Sequence, residues 1–284
     1  MNPDRQQDKH ADIQFAISTT CTHARMDYIP EHFVCHIASG EMRVIESHRQ
    51  SIYRAGDTFL LRRNALAKCE QRPIASGIQF KVIFLVLKKD FLQDYAIRHE
   101  SSIMPEKNSI NAKVQLLEPT LALTGLFNSL MPYLDVNAQP SAEIIGLKLE
   151  EMLICLQEID SKLTASLLTV DATGKLNLGE FMERNYMFNV PLNKFAELSG
   201  RSLSTFQRDF FRIFNMQAGP WLLKRRLQAA HNLLLNSDRK PSDVYLETGF
   251  EDFAHFSRSF KKHFGYNPSR VNSILNSQLT ENKK

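Results

Sequence analysis

One pattern, written twice about fifty residues apart, constrains this 284-residue chain more than any other feature. PLNKFAELSGRSLSTFQRDFFRIF, residues 191–214, has Pro191 opening a short helix, a turn at Ser199-Gly200 and then a second helix. Ala196 is small where two short helices must approach closely, and Gly200 can take the positive φ of such a turn. Ser202 or a neighbour can cap the helix that follows. PSDVYLETGFEDFAHFSRSFKKHF, residues 241–264, repeats the layout with Pro241, Gly249 and Asp252 in these roles. Phe206 and Phe210 correspond to Phe256 and Phe260, and Arg208 to Arg258. Leu198 falls opposite Glu247, so the copies share a plan rather than an identity. Each copy is a helix-turn-helix unit.

Between the copies, GPWLLKRRLQAAHNLLLNS carries Trp221, Leu222, Leu227, Ala230, Leu233 and Leu234 at helical spacing. A helix over 219–236, at about 1.5 Å per residue, is a strut of roughly 27 Å. Such a strut can set two readers near one turn of DNA apart, about 34 Å. Seven helices are expected from Leu176 onward, at roughly 177–188, 192–199, 203–214, 219–236, 241–248, 252–263 and 268–276.

The second helix of each unit anchors itself with phenylalanines and turns other side chains outward. In the first, Ser204, Gln207 and Arg208 are placed to meet base edges, with Leu203 and Thr205 beside them. Gln pairs with adenine and Arg with guanine in the major groove. In the second, Phe253, Ala254, His255 and Arg258 take these places, and Phe253 or Ala254 can touch a thymine methyl. Lys261, Lys262, Arg212, Arg225 and Arg226 are expected to meet phosphate. The bland alternative for each is a solvated helix face. Charge favours the reading role: residues 173–284 hold 17 Lys or Arg against 10 Asp or Glu, while the rest of the chain holds 18 against 21.

The N-terminal part has another character. EHFVCHIASGEMRVIE and SIYRAGDTFLLRR read as strands broken at Ser39-Gly40 and at Ala55-Gly56-Asp57, and IQFKVIFLVL as a buried strand. Strands without intervening helices favour a small barrel or sandwich. After Lys88 come a short helix in DFLQDYAIRH, a polar loop at 101–114, a helix in LEPTLALTGLFNSLMPYL and an amphipathic one in AEIIGLKLEEMLICLQEID. On that last helix Leu149, Leu153 and Leu156 suit either the chain's own core or a dimer seam. SKLTASLLTVDATGKLN is the expected connection between domains.

Other classes find little support. Cys21, Cys35, Cys69 and Cys155 show no C-x-x-C spacing, and His23, His32, His36 and His48 lack the close pair with a carboxylate of a metal-dependent enzyme. No catalytic residue, metal or cofactor is assigned. No run of 18 apolar residues exists, and MNPDRQQDKHAD has no signal-peptide core, so a cytoplasmic location without membrane contact is expected.

LNKFAELSG, STFQRDFFRIF, PWLLKRRLQAAHNLLLNS and VYLETGFEDFAHFSRSFKKHFGYNPSR together resemble the DNA-binding domain of the arabinose-regulator (AraC/XylS) family of bacterial transcription factors, over residues 176–272. YRAGDTFLLRR resembles, less specifically, the cupin-like barrel with helices that many members use for effector binding and dimerisation. The resemblance implies two domains. A mainly β cupin-like barrel with helices spans 12–160, followed by a 161–175 linker. An all-α seven-helix DNA-binding domain with two helix-turn-helix units spans 176–276. It implies a regulator of transcription that binds double-stranded DNA, activates by contacting RNA polymerase and answers to a small-molecule or protein effector, as a homodimer; a repressor stays open. Two departures stand out. Tyr245 occupies the place of a small Ala, and Phe253 is bulky for a groove-facing position, leaving it to point outward or to pack inward.

Overall fold

The computed structural model describes residues 12–23, 27–46, 49–75, 78–99, 112–136, 138–168, 175–237 and 239–271. The chain divides into two compact units, 1–172 and 173–284.

The first unit holds nine strands: β1 (Ile13–Ser18), β2 (Thr22–His23), β3 (His32–Ser39), β4 (Glu41–Glu46), β5 (Arg49–Arg54), β6 (Thr58–Leu61), β7 (Lys68–Arg72), β8 (Phe80–Leu87) and β9 (Val114–Leu116). They form two antiparallel sheets, in the orders β1-β8-β3-β6-β9 and β2-β7-β4-β5. The expected cupin-like barrel is therefore corrected. Neither sheet closes: β1 and β9 end the first, β2 and β5 the second, and no ladder among the described residues joins these edges. The reason lies in the turns. Gly40, at φ +88°, and Gly56, at φ +95°, do not fold flanking strands into hairpins; each passes the chain from one sheet to the other. Asp57 fixes the second turn by accepting the Arg54 amide at 2.7 Å.

Strand alternation then sorts two cores. Phe33, Cys35 and Ile37 of β3 and Phe80, Val82 and Val86 of β8 pack with Met42, Val44 and Tyr53 of the second sheet. Val34, Ile83, Leu85 and Leu87 point the other way, against helices. Strand β8 is buried on both faces, which is why its sequence is almost unbroken apolar.

The helices are α1 (Lys89–Arg98), α2 (Leu121–Val136), α3 (Ala142–Ile159) and α4 (Ser161–Leu168). Leu149, Leu153 and Leu156 of α3 lie buried among Leu126, Phe127 and Leu163. Of the two expected uses of these leucines, the chain's own core is the one the structure displays. Much of the expected linker is helix α4, capped by the Asp160 carboxylate through the Lys162 and Leu163 amides and tied to β6 by Arg62 donating to Ser166. Residues 169–174 lie outside the described set, as do 101–111 of the polar loop expected at 101–114, whose last residue, Val114, opens β9.

The second unit contains α5 (Leu178–Asn185), α6 (Leu192–Leu198), α7 (Leu203–Phe214), α8 (Ala218–Leu235), α9 (Pro241–Glu247), α10 (Phe253–Phe264) and a single 3-10 turn, Pro268–Arg270. Of the seventh helix, expected over 268–276, the described residues display only that turn; 272–276 are outside the described set. Helix α8 packs against α7 near its start and against α9 and α10 further on. Trp221 meets Phe210 and Phe214 at 5.4 and 4.6 Å between ring centroids, and Leu227, Ala230 and Leu234 join Phe256 and Phe260.

Candidate nucleic-acid interface

The two units are built alike down to single backbone groups. Ser202 caps α7 by accepting the Thr205 amide at 3.4 Å, and Asp252 caps α10 by accepting the His255 amide. At the other ends Asn215, φ +49°, and Gly265, φ +85°, stop the helices in the left-handed conformation, each amide donating to a carbonyl four residues back at 2.8 Å. The turns use Gly200 at φ +72° and Gly249 at φ +91°. Beside them the buried hydroxyls of Ser199 and Thr248 fold back onto Ala196 O and Val244 O at 2.9 and 3.0 Å. Phe206 and Phe210, and their partners Phe256 and Phe260, are wholly buried.

Opposite these anchors the reading faces are exposed. Ser204, Gln207 and Arg208 stand at i, i+3 and i+4 on one side of α7, and the Arg208 side chain is 76% exposed. Ala254, His255 and Arg258 are exposed on α10, with Lys261 and Lys262 a turn beyond. The structure thus gathers each set on a single helix face. Phe253 is divided: it is 44% exposed, yet its ring lies edge-on to Tyr245 at 5.5 Å and 6.1 Å from Phe256. The bulk of Tyr245, where the first unit has Ala196, is met by Phe253, where the first unit has Leu203.

Two of the expected phosphate contacts, Arg225 and Arg226, are engaged within the domain. The Arg226 guanidinium is turned inward, donating to Tyr186 O at 2.7 Å, Phe188 O at 2.8 Å and Gly249 O at 3.1 Å. It ties the chain after α5 to the turn of the second unit. Arg225 lies 4.9 Å over the Tyr186 ring and pairs with Glu183. Arg212 stays exposed, 3.5 Å from Asp209.

Asp209 has several cationic neighbours. Arg201, nearly buried, donates to it at 3.2 Å and to the carbonyls of Leu176 and Ser199. Arg208 Nε lies 3.9 Å away. The hydrogen bond from Arg201, with the charges of Arg212 and Arg208, holds the Asp209 carboxyl below its usual range.

Sequence reasoning passed over two residues and gave a third another role. Arg226 read as a phosphate contact, because its acceptors lie in segments distant along the chain. Arg201, beside the Ser199-Gly200 turn, drew no assignment. Phe211, 53% exposed, was lost among the anchoring phenylalanines although it follows Arg208 by three positions rather than Phe210 by four.

Among the described side chains, the histidines do not assemble a metal site. His32 and His36 share a strand face about 13 Å apart, too far for a common ion. His36 Nδ1 lies 2.9 Å from the Thr58 hydroxyl, with its ring stacked on Phe127. Among the described residues no group of three His, Cys, Asp or Glu side chains could hold a metal; His48 is outside them.

Comparison with known proteins gives two family matches. Residues 195–273 match the family described as "Helix-turn-helix domain", and residues 32–166 the one described as "ExsA N-terminal regulatory domain". The chain is 28% identical over 222 residues to "Thermoregulatory protein LcrF" of Yersinia pestis, covering 76% of this chain and 79% of that protein. It is 28% identical over 222 residues, with the same coverage, to "Virulence regulon transcriptional activator VirF" of Yersinia enterocolitica. It is 26% identical over 239 residues to "HTH-type transcriptional regulator ExsA" of Pseudomonas aeruginosa, covering 82% and 83%. The N-terminal match is to a domain described as regulatory.

Proposed function

We propose that this chain, a sequence-specific DNA-binding transcription regulator of the arabinose-regulator (AraC/XylS) type and not an enzyme, activates transcription by reading two successive major grooves. The observation that carries the reading is the doubled unit, with Ser204, Gln207 and Arg208 on one exposed helix face and Ala254, His255 and Arg258 on the other. Both faces are held by one strut, and Arg226 cross-ties the strut to the second turn. Arg212, Lys261 and Lys262 supply phosphate contacts at the margins.

Activation follows the relative named as a transcriptional activator, and works through contact with RNA polymerase in the cytoplasm. The outer face of α3, where Leu147 and Ile154 are exposed two turns apart, offers a surface for a second copy of the chain. A cavity of ≈ 280 Å³ beside β3 and α2, lined by His36, Thr58, Leu123, Asn128 and Met131, is where a small effector would be sought.

Selection from a randomised duplex library, with and without candidate metabolites, tests the reading. The selected sequence is then placed before a weak promoter driving a reporter. A defined motif and a rise in reporter are expected. A motif with a falling reporter would make the chain a repressor, and enrichment of no motif would remove DNA reading altogether.

A further inference from the structure

Helix α7 carries a large apolar side chain on the face that reads rather than on the face that anchors. Phe206, Phe210 and Phe214 follow one another at four-residue spacing toward Trp221. Ser204, Gln207, Arg208 and Phe211 stand at i, i+3, i+4 and i+7, which places Phe211 in line with the three polar readers. More than half of its surface is open. The corresponding residue of α10 is Lys261, exposed and charged, so the scaffold does not require an aromatic there. Arg208 and Arg212 flank Phe211 with exposed guanidinium groups, which draw a polyanion toward this patch.

We infer that Phe211 is a fourth base-reading residue of α7, making an apolar contact with the 5-methyl group of a thymine in the major groove. The inference rests on the DNA-reading function proposed above. Helix rise places Phe211 about 10 Å beyond Ser204 along α7, or about three base-pair steps of 3.4 Å. The thymine methyl is the one apolar feature that base edges display in that groove. A phenyl ring recognises it by apolar contact that excludes water. The first unit thereby gains sequence information where the second, with Lys261, gains only attraction to phosphate.

The test uses the full chain. Bound duplexes are selected from a randomised library by the unaltered protein, Phe211→Ala, Phe211→Lys and Arg208→Ala. Phe211→Lys installs the residue that the second unit carries at this position, which guards against a loss of folding. Each thymine of the selected site is then replaced in turn by uracil, which removes the methyl alone. The unaltered protein is expected to lose about four-fold in affinity at one thymine, the worth of one buried methyl group. Phe211→Ala and Phe211→Lys should lose the preference for thymine there and be indifferent to uracil. Equal uracil sensitivity of the unaltered protein and Phe211→Ala at every position overturns the inference. So does an unchanged motif accompanied by a fall in reporter output, which would place Phe211 against a protein. A motif degraded by Arg208→Ala but untouched by either Phe211 variant defeats this inference alone; absence of any motif with the unaltered protein defeats DNA reading and this inference with it.

Discussion

The first and second helix-turn-helix units share caps, left-handed stops, turn glycines and buried phenylalanines, yet they are fastened and armed differently. In the first, an ion pair between Arg201 and Asp209 closes the turn onto α7. In the second, Phe250 and Ser259 stand at these places, and an aromatic cluster of Tyr245, Phe250, Phe253 and Phe256 does the closing. The first offers Gln207 and Arg208, the second Ser257 and Arg258 followed by two lysines. The lesson is that backbone geometry is held constant where a turn or cap demands it, while the means of tightening the unit varies freely. The exposed cations are divided as well: Arg208 and Arg212 on α7, and Arg258, Lys261 and Lys262 on α10 in the second unit.

The sharpest way to break this comparison is at the glycines. An added Cβ at Gly249 would stand 2.6 Å from the Met187 carbonyl, on a backbone at φ +91°. Gly249→Ala is expected to destabilise the domain by about 3 kcal/mol or more, the clash adding to the cost of the positive φ. Urea unfolding measures the loss, and a change under about 1 kcal/mol would show that the second turn is not a crowded junction.

Next in size is the division of labour in binding. Arg208→Ala should lose about 1–3 kcal/mol of discrimination at one or two base pairs. Lys262→Ala should weaken cognate and random DNA evenly and lower the salt slope by about one. Fluorescence-anisotropy titrations over a range of salt separate these outcomes. Equal losses on cognate and random duplexes for Arg208→Ala would erase the distinction between the units.

The smallest effect concerns acid. Asp209 is held below the usual carboxylate range, so its contribution is fully present above the unfolded value near 4. It is lost as pH falls through the lower folded value. Ser259, its counterpart, has no such dependence. Between pH 5 and pH 3 the unaltered protein should therefore lose more thermal stability than Asp209→Asn. Parallel melting curves would mean that the ion pair does not distinguish the first unit.

What could be read from the sequence was local. A cap, a positive-φ glycine and a four-residue rhythm of phenylalanines act within one turn of helix, so α6 to α10 were legible to within a residue or two. What could not be read depended on partners far along the chain. Gly40 and Gly56 mark turns, but a turn does not say whether the next strand pairs with the last one or crosses to another sheet, and the barrel expectation failed there. Strand β9 has only three residues and exists because β6 offers it an edge. Leu149, Leu153 and Leu156 satisfy a core and a seam equally until the sheet beneath them is known. Within the interface, the outward positions of Ser204, Gln207, Arg208 and Arg258 followed from periodicity. The inward turn of Arg226 did not, because an arginine beside another arginine gives no sign that carbonyls lie waiting beneath it.

That inward turn has a consequence for the DNA rather than for the protein. With Arg226 bound at once to the chain after α5 and to the carbonyl of Gly249, swivelling of the second unit against the first would break hydrogen bonds. One base pair inserted between their sub-sites shifts the second by about 3.4 Å and rotates it by about 35°. A jointed reader would follow such a shift, whereas this one converts it into lost contacts. The length of the gap between sub-sites becomes part of the message, checked as strictly as its letters.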